Sequence, residues 1–206
     1  MKIKTLIVGA LRQNCYICYD EDAKNAILID PGAEADKIIA FLVDNGLTPE
    51  AILLTHAHYD HIGACEGIKQ RFNIPVYMFR DELDAMQGYT MNEGQPSVVP
   101  DMLLDDDDNL FFGKLRLKAI HTPGHSAGSV CYYNEDYGYL FTGDTLFREE
   151  IGRCDLHSGN FKDILQAIAK RLFKLPDDTR VYPGHGLRSG IGHEKANNPY
   201  FTNDAW

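Results

Sequence analysis

The run Thr55-His56-Ala57-His58-Tyr59-Asp60-His61 places three imidazoles and one carboxylate within six consecutive residues. Imidazole and carboxylate are the nitrogen and oxygen ligands that divalent transition metals take, and no packing requirement selects that composition. Three further places share the same local grammar: His121-Thr122-Pro123-Gly124-His125-Ser126, Phe141-Thr142-Gly143-Asp144-Thr145 and Tyr182-Pro183-Gly184-His185-Gly186. In each, an apolar run ends at a Gly or Pro turn that carries a His or Asp. Together these places offer His56, His58, His61, His125 and His185 as imidazoles, and Asp60 and Asp144 as carboxylates. One ion takes three or four protein ligands, so seven suit two ions with a carboxylate spanning both. The donor set fits zinc, iron or manganese, and the sequence does not choose among them. His121, His157 and His193 read as ordinary polar positions.

Ligands must be held by rigid elements to the tolerance a metal demands. The apolar run 51–54, just before the first cluster, reads as a buried strand. Upstream, Lys2–Val8, 15–19 and 26–29 read as strands separated by turn signals, with Asp30-Pro31-Gly32 a strong turn. Helical spacing marks 34–45, stopped by Gly46, and 63–72; 75–79 reads as another strand. The second half repeats the order. Strands are expected over 114–120, 129–133, 139–142 and 180–182. An amphipathic helix is expected over 160–175, capped by Asn160, with Phe161, Ile164, Leu165, Ile168, Leu172 and Phe173 on one stripe. Each half is thus strands followed by helix, which fits two sheets packed between helices. The stretch 88–109 has Gly, Pro, Asn and little periodicity, and reads as a long loop. Closed over a substrate, it would offer Tyr89, Met91, Val98 and Val99. Its acidic run 105–108 is expected to face solvent; a calcium site is the alternative, against which the run lacks the alternating spacing of an EF-hand loop.

The chain has 206 residues, 44% of them hydrophobic, which suits one domain over 1–206. A formal net charge of −10 with scattered Lys and Arg argues against nucleic-acid and anionic-membrane partners. No stretch has the length and apolarity to span a bilayer, and the N-terminal run reads as a strand rather than a signal peptide. Five cysteines at wide spacing argue for a reducing, cytoplasmic compartment. Cys15 and Cys18 lie three apart on one strand, so they are expected on opposite faces rather than as a redox pair. The sequence does not set the oligomeric state.

The ordered set His56-x-His58-x-Asp60-His61, His125, Asp144, His185 resembles the metallo-β-lactamase fold superfamily, and within it the glyoxalase II-like (hydroxyacylglutathione hydrolase-like) branch. Asn14-Cys15-Tyr16, Asp30-Pro31-Gly32, Gly143-Asp144-Thr145-Leu146-Phe147 and Gly152-Arg153 support the likeness. The tail through Asn198-Pro199-Tyr200-Phe201 looks like that of the short, single-domain members. The resemblance implies an α/β fold, a four-layer αββα sandwich of two mixed β-sheets flanked by helices. It implies that His56, His58 and His125 hold one metal, that Asp60, His61 and His185 hold a second, and that Asp144 bridges. Zinc is the first expectation for both ions. Arg153 stands where the family places a cationic glutathione contact, but Asp155 stands where its tyrosine partner is expected. Leu187 and Arg188 replace the aromatic that follows the last metal histidine. A cysteine at the place of Asp144 would mark the commonest zinc β-lactamases, so antibiotic hydrolysis is disfavoured.

The activity implied is hydrolysis of a small-molecule thioester, such as a hydroxyacyl-thiol, by a hydroxide shared between the metals. A single zinc lowers the pKa of water from 15.7 to about 7, roughly 12 kcal/mol of charge stabilisation. Asp60 is the candidate catalytic residue, orienting that hydroxide or receiving its proton. A thiol of pKa about 8.5 leaves without strong acid help. Arg148, Arg153 and Arg188 are candidates to hold substrate carboxylates. Two alternatives remain open: a mononuclear iron dioxygenase acting on a persulfide, and a non-catalytic metal-binding protein.

Overall fold

The apolar runs of the first half form strands because their residues alternate between two different cores. The computed structural model describes residues 1–89 and 98–201. In it β1 (Lys2–Val8), β2 (Gln13–Tyr19), β3 (Asn25–Ile29), β4 (Thr48–Leu53), β5 (Val76–Phe79) and β6 (Met102–Leu104) lie side by side in that order. Pairings β1–β2 and β2–β3 are antiparallel, and the rest are parallel. Ala26 and Leu28 face helices α1 (Ala35–Asp44) and α3 (Cys65–Phe72), which add Ile38, Leu42 and Ile68 to that core. Ile27 and Ile29 point the other way, into the core between the sheets. Burial on both faces is why these strands read as continuous apolar runs. Cys15 and Cys18 divide between the same two cores, as their spacing predicts.

The second sheet has the order β14 (Ser189–Gly190), β13 (Arg180–Pro183), β10 (Tyr139–Gly143), β9 (Val130–Asn134), β8 (Leu115–His121) and β7 (Asn109–Phe112). It is also mixed, since β10 and β13 run parallel and the other pairs antiparallel. Helix α5 (Phe161–Lys170) covers its outer face with Ile164, Leu165 and Ile168, against Ile120, Cys131, Leu140 and Val181. Each fully buried Leu or Ile there contributes about 1.5–3 kcal/mol. Asn160 caps α5, its side chain accepting from the backbone N–H of Lys162 and Asp163. The result is the expected αββα sandwich of two mixed sheets.

Several sequence boundaries are corrected. The helix expected over 63–72 starts two residues later, as α3, and a separate short helix that was not expected, α2 (Tyr59–Ile62), precedes it, so the ligand cluster itself starts a helical turn. The helix expected over 160–175 ends at Lys170 and continues as a 3₁₀ turn, Leu172–Lys174. The stretch 88–109 is not one loop. Helix α4 (Glu82–Tyr89) runs into it, and β6 lies within it. Val98 is 2% exposed and belongs to the core under α1 and α3, so it is no lid contact, whereas Val99 is exposed. Met91 and the side chain of Tyr89 lie outside what the structure describes. The acidic run is a tight turn: Asp105 pairs with Arg80, Asp106 and Asp107 with Arg171, and Asp107 also with Lys118. A small hairpin, β11 (Leu146–Phe147) and β12 (Glu150–Ile151), and a last helix, α6 (Ile191–Asn197), were not expected from the sequence.

Candidate metal centre

Every candidate ligand sits just past the C-terminal end of a strand. Residues 55–61 follow β4, His125 follows β8, Asp144 follows β10 and His185 follows β13. These four ends lie along one edge of the two sheets, so residues up to 129 apart in sequence meet at a point. Glycines permit the approach. A Cβ on Gly184 would lie 2.2 Å from Asp144 Oδ1 and 2.8 Å from His61 Cε1, so any side chain there would fill the centre. Gly124 has φ +133°, and its Cβ would lie 2.2 Å from the backbone nitrogen of Ile164. It lets the His125 loop seat on the start of α5, where Asn160 N–H donates to Gly124 O at 2.7 Å.

Among the described residues, three groups have donor atoms within 4.8 Å of one another: His56, His58 and His125; Asp60, His61 and His185; and Asp30 with His56 and His61, of which the first two are made up of candidate ligands alone. In the first, His125 Nε2 lies 3.3 Å from His56 Nε2 and 2.8 Å from His58 Nδ1. In the second, His185 Nε2 lies 3.3 Å from His61 Nε2 and 3.1 Å from Asp60 Oδ2. Asp144 stands between them. Its Oδ1 is 3.3 Å from His61 Nε2, and its Oδ2 is 3.7 Å from both His125 Nε2 and His185 Nε2. The seven residues singled out in the sequence are therefore brought together, in the two groups the resemblance implies.

The far side of each ring decides whether this set suits cations. His125 Nδ1 lies 2.8 Å from the Arg153 carbonyl and His185 Nδ1 lies 3.1 Å from the Leu11 carbonyl, so both nitrogens must donate. His61 Nδ1 donates to Asp30 Oδ2 at 2.9 Å. The Thr55 hydroxyl gives its proton to Asp30 Oδ2 at 2.6 Å, so it can only accept from His56 Nδ1 at 3.0 Å. Four tautomers are thus fixed with Nε2 aimed inward, free to present a lone pair to an ion. Asp144 Oδ1 is buried without a geometrically sound hydrogen bond in the protein. Converging imidazole nitrogens and an orphaned carboxylate oxygen fit divalent metal ions.

The electrostatics differ between the two groups. Burial and neighbouring histidines hold His56 well below its ordinary pKa. Burial and the His125 charge bring His58 down to about 3, and burial also lowers His125, partly offset by Asp144. For His61, burial is outweighed by the Asp144 and Asp30 carboxylates, which raise it well above the usual value. His185 is raised too, its hydrogen bond to Asp60 overcoming burial. Burial opposes ionisation of Asp144, but the charge of His61 beside it holds the carboxyl well below the usual range. For Asp60, burial is likewise outweighed by the hydrogen bond with His185.

Some supporting residues were missed from sequence. Asp30, read only as a turn, is 2% exposed and accepts from Thr55 N–H, Thr55 Oγ1 and His61 Nδ1. Its place at the end of β3, before Pro31-Gly32, follows the same strand-to-turn grammar as the ligands and could have flagged it. With its oxygens so engaged, it supports ligands rather than binding an ion. Glu82, first residue of α4, is also fully buried; burial pushes its carboxyl up to about 7, against the donors around it. Among the arginines, Arg153 is held by Asp155 through two 2.8 Å bonds, Arg188 lies over the Tyr182 ring, and Arg148 pairs with Glu149 at 3.8 Å. None is drawn into the ligand cluster. His121 stacks on Phe79, and His193 pairs with Glu149, in keeping with the ordinary roles expected for them.

Comparison with known proteins agrees with this geometry. A family model described as the metallo-beta-lactamase superfamily matches residues 8–185. The probable metallo-hydrolase YqgX of Bacillus subtilis is 39% identical, over 98% of this chain and 98% of that protein. Hydroxyacylglutathione hydrolase GloC of Haemophilus influenzae is 31% identical, over 98% and 99%. Among solved structures, BLEG-1 B3 metallo-beta-lactamase superposes with a TM-score of 0.90 at 37% identity, covering 98% of this chain and all of that one (100%). TTHA1623 in a di-iron-bound form gives 0.83 at 35% identity, covering 96% and 99%.

Proposed function

The chain belongs to the metallo-beta-lactamase superfamily, and from that premise we propose that it is a binuclear hydrolase that cleaves a small-molecule thioester. The observation that carries the reading is the complete pair of ligand groups with Asp144 between them. Two divalent ions held there, zinc first among the candidates, supply an acidified water and Lewis-acid polarisation of a carbonyl. The protein's own groups do the rest. His56, His58 and His125 would hold one ion; Asp60, His61 and His185 the other; Asp144, between the two groups, would serve both. Asp60, 15% exposed in its side chain and with Oδ2 3.1 Å from His185 Nε2, would orient the attacking water or take its proton. A thiolate leaving group needs no strong acid, which suits a centre whose nearby titratable groups are ligands or their supports.

The hydroxyacylglutathione hydrolase relative supports thioester chemistry. Around His185 the rim is apolar: Leu11, whose carbonyl the histidine engages, is 52% exposed, and Leu187 is 71% exposed. That surface suits an acyl or thiol portion with apolar character. Arg153 would contact a substrate carboxylate by exchanging it for that of Asp155. Likeness to a B3 metallo-beta-lactamase favours a second reading, lactam hydrolysis, which asks for protonation of a leaving nitrogen. Metal analysis of freshly purified protein, with parallel assays on S-lactoylglutathione, a β-lactam and glutathione persulfide, tests these readings. Two divalent ions per chain with thioester cleavage is the expected outcome. Faster turnover of the lactam, or one iron with oxygen uptake on the persulfide, overturns it.

A further inference from the structure

Glu82 is a buried ionisable side chain to which the hydrolytic reading gives no part, and its three partners share one property. Its Oε1 accepts from Ala57 N–H at 2.9 Å, and Ala57 lies between the ligands His56 and His58. Its Oε2 accepts from the Ser126 hydroxyl at 2.7 Å and from Gly128 N–H at 3.0 Å, and Ser126 directly follows the ligand His125. One carboxylate therefore joins the loop after β4 to the loop after β8, the two loops that carry the first group of ligands. The residue is 0% exposed, and the approach is built to be close: a Cβ on Gly128 would lie 2.2 Å from Glu82 N. Ala57 lies just before α2, and none of the three bonds is made to a residue of α2, which carries Asp60 and His61, or of the turn that carries His185.

We infer that Glu82 is a positioning residue for the first ion, fixing the distance between the His56–His58 loop and the His125 loop so that three imidazole nitrogens meet at one point. Buried bonds of this kind around ligands change metal affinity about 10- to 100-fold when removed. Its partners are three donors, so the position calls for an acceptor on both oxygens. Glutamine keeps the shape and the Ala57 bond, but it sets an NH₂ against the Gly128 N–H. The inference rests on the two-ion reading above, and not on the identity of the substrate.

The test uses the full chain loaded with cobalt(II) and, separately, zinc(II). His185→Ala gives the reference spectrum of the first ion alone, and His58→Ala that of the second. Glu82→Gln is expected to weaken one ion by about tenfold or more against a competing chelator while leaving the other unchanged. Its partly loaded cobalt spectrum should carry a larger share of the His58→Ala spectrum, and a smaller share of the His185→Ala spectrum, than the wild type at the same loading. Ser126→Ala removes one of the three bonds and should show a smaller loss with the same selectivity, so the inference stays testable if Glu82→Gln folds poorly. A general loss of stability would weaken both ions together, and that result overturns the inference, as does unchanged binding of both. Should the wild-type chain take up only one ion, the two-ion reading fails. The inference then stands if that ion weakens in Glu82→Gln, and falls if it does not.

Discussion

The two halves of the centre are built differently from the same kinds of residue. The first, His56, His58 and His125, is all imidazole, deep between the loops after β4 and β8, with His56 and His125 at 1% and 2% exposure. Its rings are kept neutral by burial and by one another. The second half contains a carboxylate and two imidazoles that carboxylates make more basic. It is also more open, with the His185 side chain 26% exposed. The difference divides the labour. A neutral, closed socket would take an ion without displacing a proton and hold it away from solvent. On the proposed two-ion reading, the open half with a carboxylate is where water and substrate would enter, and where protons would compete with the ion.

The strongest way to break this comparison is to remove what both halves share. Asp144→Ala takes away the spanning carboxylate, and turnover is expected to fall about 1,000-fold or more. Activity surviving that change would show the halves to be independent. Next in size, His185→Ala should strip the second ion and most of the turnover while the first ion stays bound, as metal content per chain would show. The same asymmetry should appear without mutation. On exposure of the wild-type protein to a chelator, the second ion is expected to leave first, and loss of both at one rate would contradict the contrast in burial. Asp30→Asn is a subtler probe. Asn tolerates the left-handed backbone found there, φ +50°, so the change isolates the charge. An amide facing His61 Nδ1–H and the Thr55 hydroxyl would push His61 toward the wrong tautomer. The second ion should weaken about 10- to 100-fold, and the first less, because Asp30 reaches His56 only through Thr55.

The contrast between the halves also explains what could be read from sequence. His56 through His61 sit in one local run, and the remaining candidates each follow an apolar strand into a Gly or Pro turn, so the set of residues that converge was legible. The sandwich was legible because strands such as β3 are apolar on both faces and α5 carries a full stripe. Supporting groups were not. Glu82 lies in Arg80-Asp81-Glu82-Leu83-Asp84, a stretch with the composition of a solvated helix start, and only tertiary packing turns it inward. Strand β6 has three residues, Met102–Leu104, too few to show alternation. Asp155 was legible as a departure at its position, but its two bonds to Arg153 were not, because a charge two residues away has no fixed direction in an unpaired segment.

The smallest expected effect lies behind the first half and concerns protons. Burial pushes the Glu82 carboxyl up to about 7, above its ordinary value, although Ser126, Ala57 and Gly128 donate to it. A carboxyl raised on folding stabilises the fold fully below its unfolded pKa of about 4.3, and that contribution is lost as pH rises through the folded value. In metal-free protein, the wild type should therefore lose melting temperature relative to Glu82→Gln between pH 5 and pH 8, by an amount on the order of a few degrees. Loading two dications behind Ala57 and Ser126 favours the ionised carboxylate, so the difference in slope should shrink in the loaded protein. Parallel melting curves in the metal-free pair would mean that the three donors already keep Glu82 ionised. A slope that vanishes only on loading would mean that the bond network closing the first half is completed by the ions it holds.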